Sequence, residues 1–169
     1  MDNAVGARAA SKAESTSGIA GESVALRFRW RDIGDVALDP AAKLAFPRAA
    51  AEPGIYRLEV DHAEASVYFG EASDLRRRFG QYRNPGPSQQ TNQRLNDLLG
   101  RVLANSGRCR VSVVEVQWFE GKFREVDLDL RLKAARVLVE SAAIVLARSD
   151  GKRIVLDLDE AFDRALGGR

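Results

Sequence analysis

All three tyrosines of the chain, together with Arg78 and Glu140, stand at spacings that suit chemistry on a phosphate. Tyr56 and Tyr68 fall on two successive strand-like segments, so their side chains can share one face of a sheet. Arg78 and Tyr82 are four residues apart on a helical pattern and so share one line of that helix. Hydrolysis of a phosphodiester needs a positioned water, a group to take its proton, and positive charge for the pentavalent oxyanion. Arginine suits the last task, because its charge is permanent and its fork matches phosphate oxygens. Tyrosine is an unusual base: its free pKa is about 10, and only nearby positive charge or hydrogen bonding to the phenolate lowers it. A tyrosine met alone on a sheet is more often a packed ring with a satisfied hydroxyl.

Other chemistries are thinly supplied. The chain has one histidine, His62, and one cysteine, Cys109. They cannot build a zinc site of three or four such ligands, and they make a poor start for a Ser/His/Asp triad. Cys109 lies between Arg108 and Arg110 but has no histidine near it in sequence to act as its base, so it reads as an inert strand cysteine. A metal here would be held by carboxylate and water oxygens, which points to Mg²⁺ or Mn²⁺.

The elements that position these groups can be read from periodicity. Residues 24–30 alternate apolar and polar, as a half-buried strand does. A loop with Pro40 and a short helical turn at 41–44 are expected next. Pro53-Gly54 opens a strand over 55–60, and the turn around His62 leads to a strand over 66–69, which together suggest an antiparallel hairpin. Gly70 is expected to break that strand so that the chain turns sharply into a helix. Ser73 is the expected cap, Asp74 suits the first turn, and Leu75, Phe79 and Tyr82 form the inner face. The helix N-terminus would then bring unpaired N–H groups near the same place. Asn84-Pro85-Gly86-Pro87 ends the helix, and a second follows over 92–104 with Leu95, Leu98, Leu99 and Val102 inward. Residues 111–119 read as a central strand. A long helix over 127–148 is expected to turn Ala134, Val137, Leu138, Ser141, Ile144 and Val145 inward. A short strand over 154–158 and a terminal helix capped by Asp159, with Phe162 and Leu166, complete the order. The sum is an α/β (α+β) fold: a small, mostly antiparallel central sheet flanked by helices.

One stretch is more specific than periodicity. Gly54-Ile55-Tyr56 is followed, after eleven residues, by Tyr68-Phe69-Gly70 and then by Glu71-Ala72-Ser73-Asp74-Leu75-Arg76-Arg77-Arg78-Phe79-Gly80-Gln81-Tyr82. This resembles the signature of the GIY-YIG nucleases, with Phe69 in a slot usually filled by Ile or Val. The resemblance is anchored on residues 53–83 and extends to about 158. It implies a GIY-YIG nuclease-like fold and metal-dependent cleavage of DNA. It implies that Tyr56 is the base or the aligner of the attacking water, that Tyr68 orients water or phosphate, that Arg78 stabilises the transition state, and that Tyr82 supports Tyr56 or the scissile phosphate. It further implies a single metal-holding glutamate on a later helix, for which Glu140 is the best match. Glu140 sits at the rim of an apolar helix face, where a carboxylate needs compensation. Two positions depart from the family: Glu71 follows the second triplet, where its charge would either repel phosphate or pair with an arginine, and no asparagine stands near 152–156.

The charge distribution bears on the partner. Between residues 71 and 110 eight arginines face three acids, a balance of +5, although the chain as a whole carries only +2. Gly70, Arg76, Arg77, Arg83, Gln93 and Arg94 are the candidate nucleic-acid contacts, with Gln89, Gln90 and Asn92 either beside them or serving as a solvated cap. DNA is the expected partner. The chain leaves no room for a large separate recognition domain, so specificity is expected to be weak or to come from a homodimer or a second protein. Residues 1–22 read as a flexible arm and 23–169 as one domain. No apolar run approaches a membrane span, no secretory signal is visible, and the lone cysteine fits a cytoplasmic setting. The competing expectation is a non-catalytic module that grips nucleic acid or protein on the same scaffold.

Overall fold

A computed structural model describes residues 25–120 and 125–158. The expected arm over 1–22 and the expected terminal helix lie outside the described residues. Ten elements follow in order: β1 Ala25–Leu38, β2 Leu44–Ala45, β3 Gly54–Asp61, β4 Ser66–Ala72, α1 Leu75–Arg83, α2 Gln90–Ala104, β5 Arg108–Glu120, β6 Glu125–Asp127, α3 Lys133–Asp150 and β7 Ile154–Val155. The strands form a single seven-stranded sheet in the order β2-β1-β5-β3-β4-β7, with β6 also on β5. Every pairing is antiparallel except β4 with β7. This is the mixed α/β architecture expected, with a mostly antiparallel sheet flanked by three helices.

Strand alternation sends successive side chains to opposite faces. Tyr56, Leu58, Val60, Val111 and Val113 meet Leu75, Phe79, Tyr82, Leu95, Leu99 and Val102, so α1 and α2 cover one face. Ile55, Val67, Phe69 and Val114 meet Val139 and Ala143 of α3 on the other. The hairpin register sets Tyr56 opposite Gly70 and Leu58 opposite Tyr68, which puts both tyrosines on the α1 side.

Several boundaries differ from the sequence reading, each for a local reason. β1 runs on to Leu38, because two register shifts, between Arg29 and Trp30 and between Asp32 and Gly34, let it follow β5 past its polar stretch. The expected helical turn at 41–44 is instead a turn with Ala42 at φ 56° that opens β2. Gly70 does not break its strand: β4 continues through it to Ala72. The cap of α1 is Asp74, whose carboxylate accepts from the Arg77 N–H at 2.8 Å, while Ser73 accepts from the Arg77 guanidinium at 2.9 Å.

The largest difference concerns α3. It begins at Lys133, because β6 and a turn at 129–132 occupy the segment before it. Its buried face is Ala135, Arg136, Val139 and Ala143, whereas Ala134, Val137, Leu138, Ser141 and Val145 are exposed and Ile144 is partly buried. The helix is apolar on nearly every side, so its pattern fits two faces equally well, and the sheet selects the one that includes an arginine.

Candidate active site

The candidate side chains come from four elements that meet at the β4 edge of the sheet. Tyr56 is held on β3 and is 1% exposed. Its hydroxyl passes over Gly70, where a side chain would lie within 3.0 Å of the Tyr56 Cε1 and nearer still to the hydroxyl. The strand therefore keeps a glycine at this point to let a phenol cross it. Phe79 packs edge-on to the Tyr56 ring at 5.3 Å, and Phe46 stacks on Phe79 at 5.1 Å. Such aromatic pairs contribute roughly 0.5–1.5 kcal/mol beyond burial and fix the ring planes.

Tyr82 is the centre of the phenol cluster. Its hydroxyl hydrogen-bonds that of Tyr56 and lies 3.5 Å from that of Tyr68. The Arg78 guanidinium lies 5.9 Å from the Tyr82 ring centroid, one helical turn back. Tyr56 and Tyr82 are buried, while Tyr68 is half-buried at the wall of a cleft of about 250 Å³ that also includes Thr91, Glu140, Ile144, Arg148 and Asp157. The three phenols thus run from the core to the cleft, with Tyr68 at the open end.

Burial dominates the electrostatics. It pushes the Tyr56 phenol well above its usual value, neighbouring Tyr82 and Tyr68 push it further, and Arg78 opposes them. Tyr68 is raised in the same way, with Arg78 again opposing and the Glu140 charge adding to the rise. Glu140, half-buried on α3, is raised first by burial and then by the charge of Glu71; Arg78 and the backbone N–H of Glu71 act the other way. The charge of one guanidinium, Arg78, therefore opposes the upward shift of Tyr56, Tyr68 and Glu140 alike.

Glu71 resolves one of the two alternatives left by its position. It pairs with Arg136, whose Nε lies 2.5 Å from the carboxylate and whose Nη1 donates to the carbonyls of Leu130 and Arg131. Arg136 is only 5% exposed, a buried cation that helical periodicity had no means to reveal. The signal was the departure at Glu71 itself, since a carboxylate in that setting needs a partner.

The remaining candidates divide by what already holds them. Arg76 and Arg77 are exposed at the start of α1, one bonded to the Ala49 carbonyl and the other to Ser73. Arg83 is tied to Asp39 and to the Leu44 carbonyl, which fastens α1 to β2. Gln93 donates to the Gly86 carbonyl at 2.8 Å, and Arg94 reaches the Leu158 carbonyl. Glu115, another carboxylate on the sheet, is exposed on β5 and pairs with Arg29 and Arg31. Cys109 is buried and its thiol is pushed up to about 12 by burial, as an inert cysteine would be.

Among the described residues no three His, Cys, Asp or Glu side chains gather as a metal cage. Glu140 nevertheless fits a divalent cation of the Mg²⁺ kind. It offers hard oxygen ligands at a cleft wall, and a cation there would offset both its burial and the Glu71 charge. A larger cleft of about 410 Å³, between α3 and the Phe28/Trp30 side of the sheet, includes none of the five candidate residues. No helix among the described residues is long and apolar enough to cross a membrane.

Comparison with known proteins adds little. No family model matches the chain, and no curated protein matches it. One solved structure, of a mutant of bacteriophage T4 EndoII, is similar over 68% of this chain and 86% of its own, with 16% sequence identity and a TM-score of 0.48. A likeness at that identity and score assigns neither family nor activity.

Proposed function

We propose that this chain is a metal-dependent endonuclease of the GIY-YIG type that hydrolyses DNA phosphodiester bonds. The observation that carries the proposal is convergence. Tyr68 and Glu140, from a strand and a helix far apart in sequence, line one cleft, the Arg78 charge acts on both of them from beside the Tyr82 ring, and Tyr82 and Tyr56 are hydrogen-bonded behind Tyr68.

In this reading Glu140 holds Mg²⁺ or Mn²⁺ together with water and substrate oxygens. The bound ion supplies Lewis-acid stabilisation of the phosphate and a more acidic water. Arg78 stabilises charge on the equatorial phosphate oxygens. Tyr68, at the open end of the phenol chain, orients the water or the phosphate. Tyr56 is buried and its phenol holds its proton firmly, which favours the aligning role over that of a free base. It positions Tyr68 through the hydroxyl of Tyr82. Arg76 and Arg77, exposed at the start of α1, contact the flanking backbone.

A plasmid-nicking assay tests the proposal. Wild-type protein is expected to relax supercoiled DNA with Mg²⁺ and to lose this activity in EDTA. Arg78→Ala and Glu140→Ala are expected to be inactive. Equal cleavage by wild type and both variants would remove the site, and full activity in EDTA would remove the metal. DNA binding with no cleavage under any divalent cation would favour the non-catalytic module instead.

A further inference from the structure

Residues 45–49 and one flank of α1 enclose a cleft of about 290 Å³ that the chemistry above does not use. Three arginines line it, Arg48, Arg76 and Arg83, and no acid does. Asp39, outside the lining, offsets the Arg83 charge. Among the described residues Arg48 and Arg76 have no carboxylate partner. Both are exposed, and Arg76 is held in place by the bond from its Nε to the Ala49 carbonyl at 3.3 Å. Phe46 and Phe79, stacked at 5.1 Å, supply an apolar wall. Gly80 leaves the cleft open beside them, because a side chain there would meet no atom of the protein within 4 Å.

Two guanidinium groups without a counter-charge, in one concavity, attract an anion. Their planar forks match the paired oxygens of a phosphate. The position on α1 indicates which phosphate. At about 100° per residue, Arg76 and Gly80 lie about 160° around the helix from Arg78, so this cleft and the candidate active site are on opposite flanks of α1. With its side chains a helix is about 10–12 Å thick, close to the ~12 Å width of the DNA major groove, so one duplex can present phosphates to both flanks.

We propose that this cleft is a second phosphate site, which holds a backbone phosphate of duplex DNA away from the bond that is cut. The inference rests on the nuclease reading for its ligand and adds a residue that reading does not use, Arg48. The cleft seats the duplex and takes no part in the reaction, since α1 stands between it and the groups around Tyr68 and Glu140.

Fluorescence anisotropy of a labelled duplex, in EDTA so that nothing is cut, tests the site. Arg48→Ala is expected to bind several-fold more weakly than wild type and to lower the slope of log affinity against log salt by about 1. Arg101→Ala removes the same charge from α2, outside the cleft, and is expected to bind as wild type does. Gly80→Leu is expected to bind weakly without melting lower, because leucine favours the helix while its side chain occupies the cleft. A wild type that does not bind the duplex overturns the proposal. So does wild-type affinity in Arg48→Ala or in Gly80→Leu, and so do equal losses from Arg48→Ala and Arg101→Ala, which would reduce the effect to net charge. Inorganic phosphate is the second arm: a melting shift with phosphate that Arg48→Ala abolishes, at unchanged duplex affinity, would give the cleft to a small free anion and end the DNA assignment. Nicking that needs Mg²⁺ and Arg78, with Arg48 immaterial to binding, would sink this site and leave the nuclease reading standing; a duplex held through Arg48 but never cut would do the reverse.

Discussion

The Tyr56 hydroxyl lies over Gly70, its cross-strand partner on β4, so closely that no side chain fits beneath it. Gly70 is a strand residue whose missing side chain leaves a path for the phenol. Gly70→Ala places a methyl group against the ring and forces Tyr56 aside. Overpacking of this kind costs about 1–3 kcal/mol. The variant is expected to melt lower than wild type and to lose DNA nicking by far more than its stability loss explains. Melting curves and initial nicking rates read the two effects separately, and wild-type activity in a folded Gly70→Ala protein would show that the approach is incidental.

The Arg78 charge opposes the upward shift of both Tyr68 and Glu140, and its exposure is intermediate. A planar fork can bond two phosphate oxygens at once, which an ammonium cannot. Arg78→Lys is therefore expected to lose about 10²–10³ in cleavage rate, close to the loss from Arg78→Ala, at nearly unchanged melting temperature. Rates on a saturating duplex decide the point. A lysine variant within a few-fold of wild type would mean that only charge matters at this position.

The parts of the site legible in the sequence are those with local periodicity. Leu75, Phe79 and Tyr82 announce a helix face by spacing alone, and the structure buries all three. Tyr56 and Tyr68 were legible as neighbours because a tight hairpin fixes its own register. What was not legible depends on the third dimension. α3 is apolar all round, so periodicity preferred the stripe through Val137 and Leu138, which the structure leaves exposed. Arg136 looks like a surface residue until Glu71, 65 positions earlier, is brought against it. The cap likewise fell to Asp74 rather than Ser73, a choice between adjacent polar residues that backbone geometry makes.

The Arg136–Glu71 pair gives the third prediction. Arg136 is 5% exposed and three of its bonds are satisfied inside the protein. Removing one partner of a buried pair costs about 3–5 kcal/mol, because the other charge is left uncompensated. Arg136→Ala is expected to destabilise by about that much and to disturb Glu140, one turn along the same helix. Glu71→Gln is expected to cost less, since the guanidinium keeps both backbone carbonyls. Chemical denaturation of the two single variants and of Arg136→Met/Glu71→Gln checks this, and a double variant nearer wild type than Arg136→Ala is the expected order.

Glu140 sets activity against stability. Burial and the charge of Glu71 raise its folded pKa above the ordinary glutamate value of 4.5. Between that value and the higher folded one, the folded protein keeps a proton that the unfolded chain has lost. Stability therefore falls as pH rises through this window, and the cost persists at neutral pH. Glu140→Gln removes the charge and keeps the shape. It is expected to melt higher than wild type at neutral pH, by at most about 1 kcal/mol because the group is half open to solvent, and to match wild type in acid below 4.5. Mg²⁺ should invert the order. A cation that binds only the folded state adds stability by mass action, so wild type should gain with Mg²⁺ and Glu140→Gln should not. The comparison needs no DNA and no catalysis. A variant that responds to Mg²⁺ as wild type does would place the ion elsewhere, whatever the nicking assay reports.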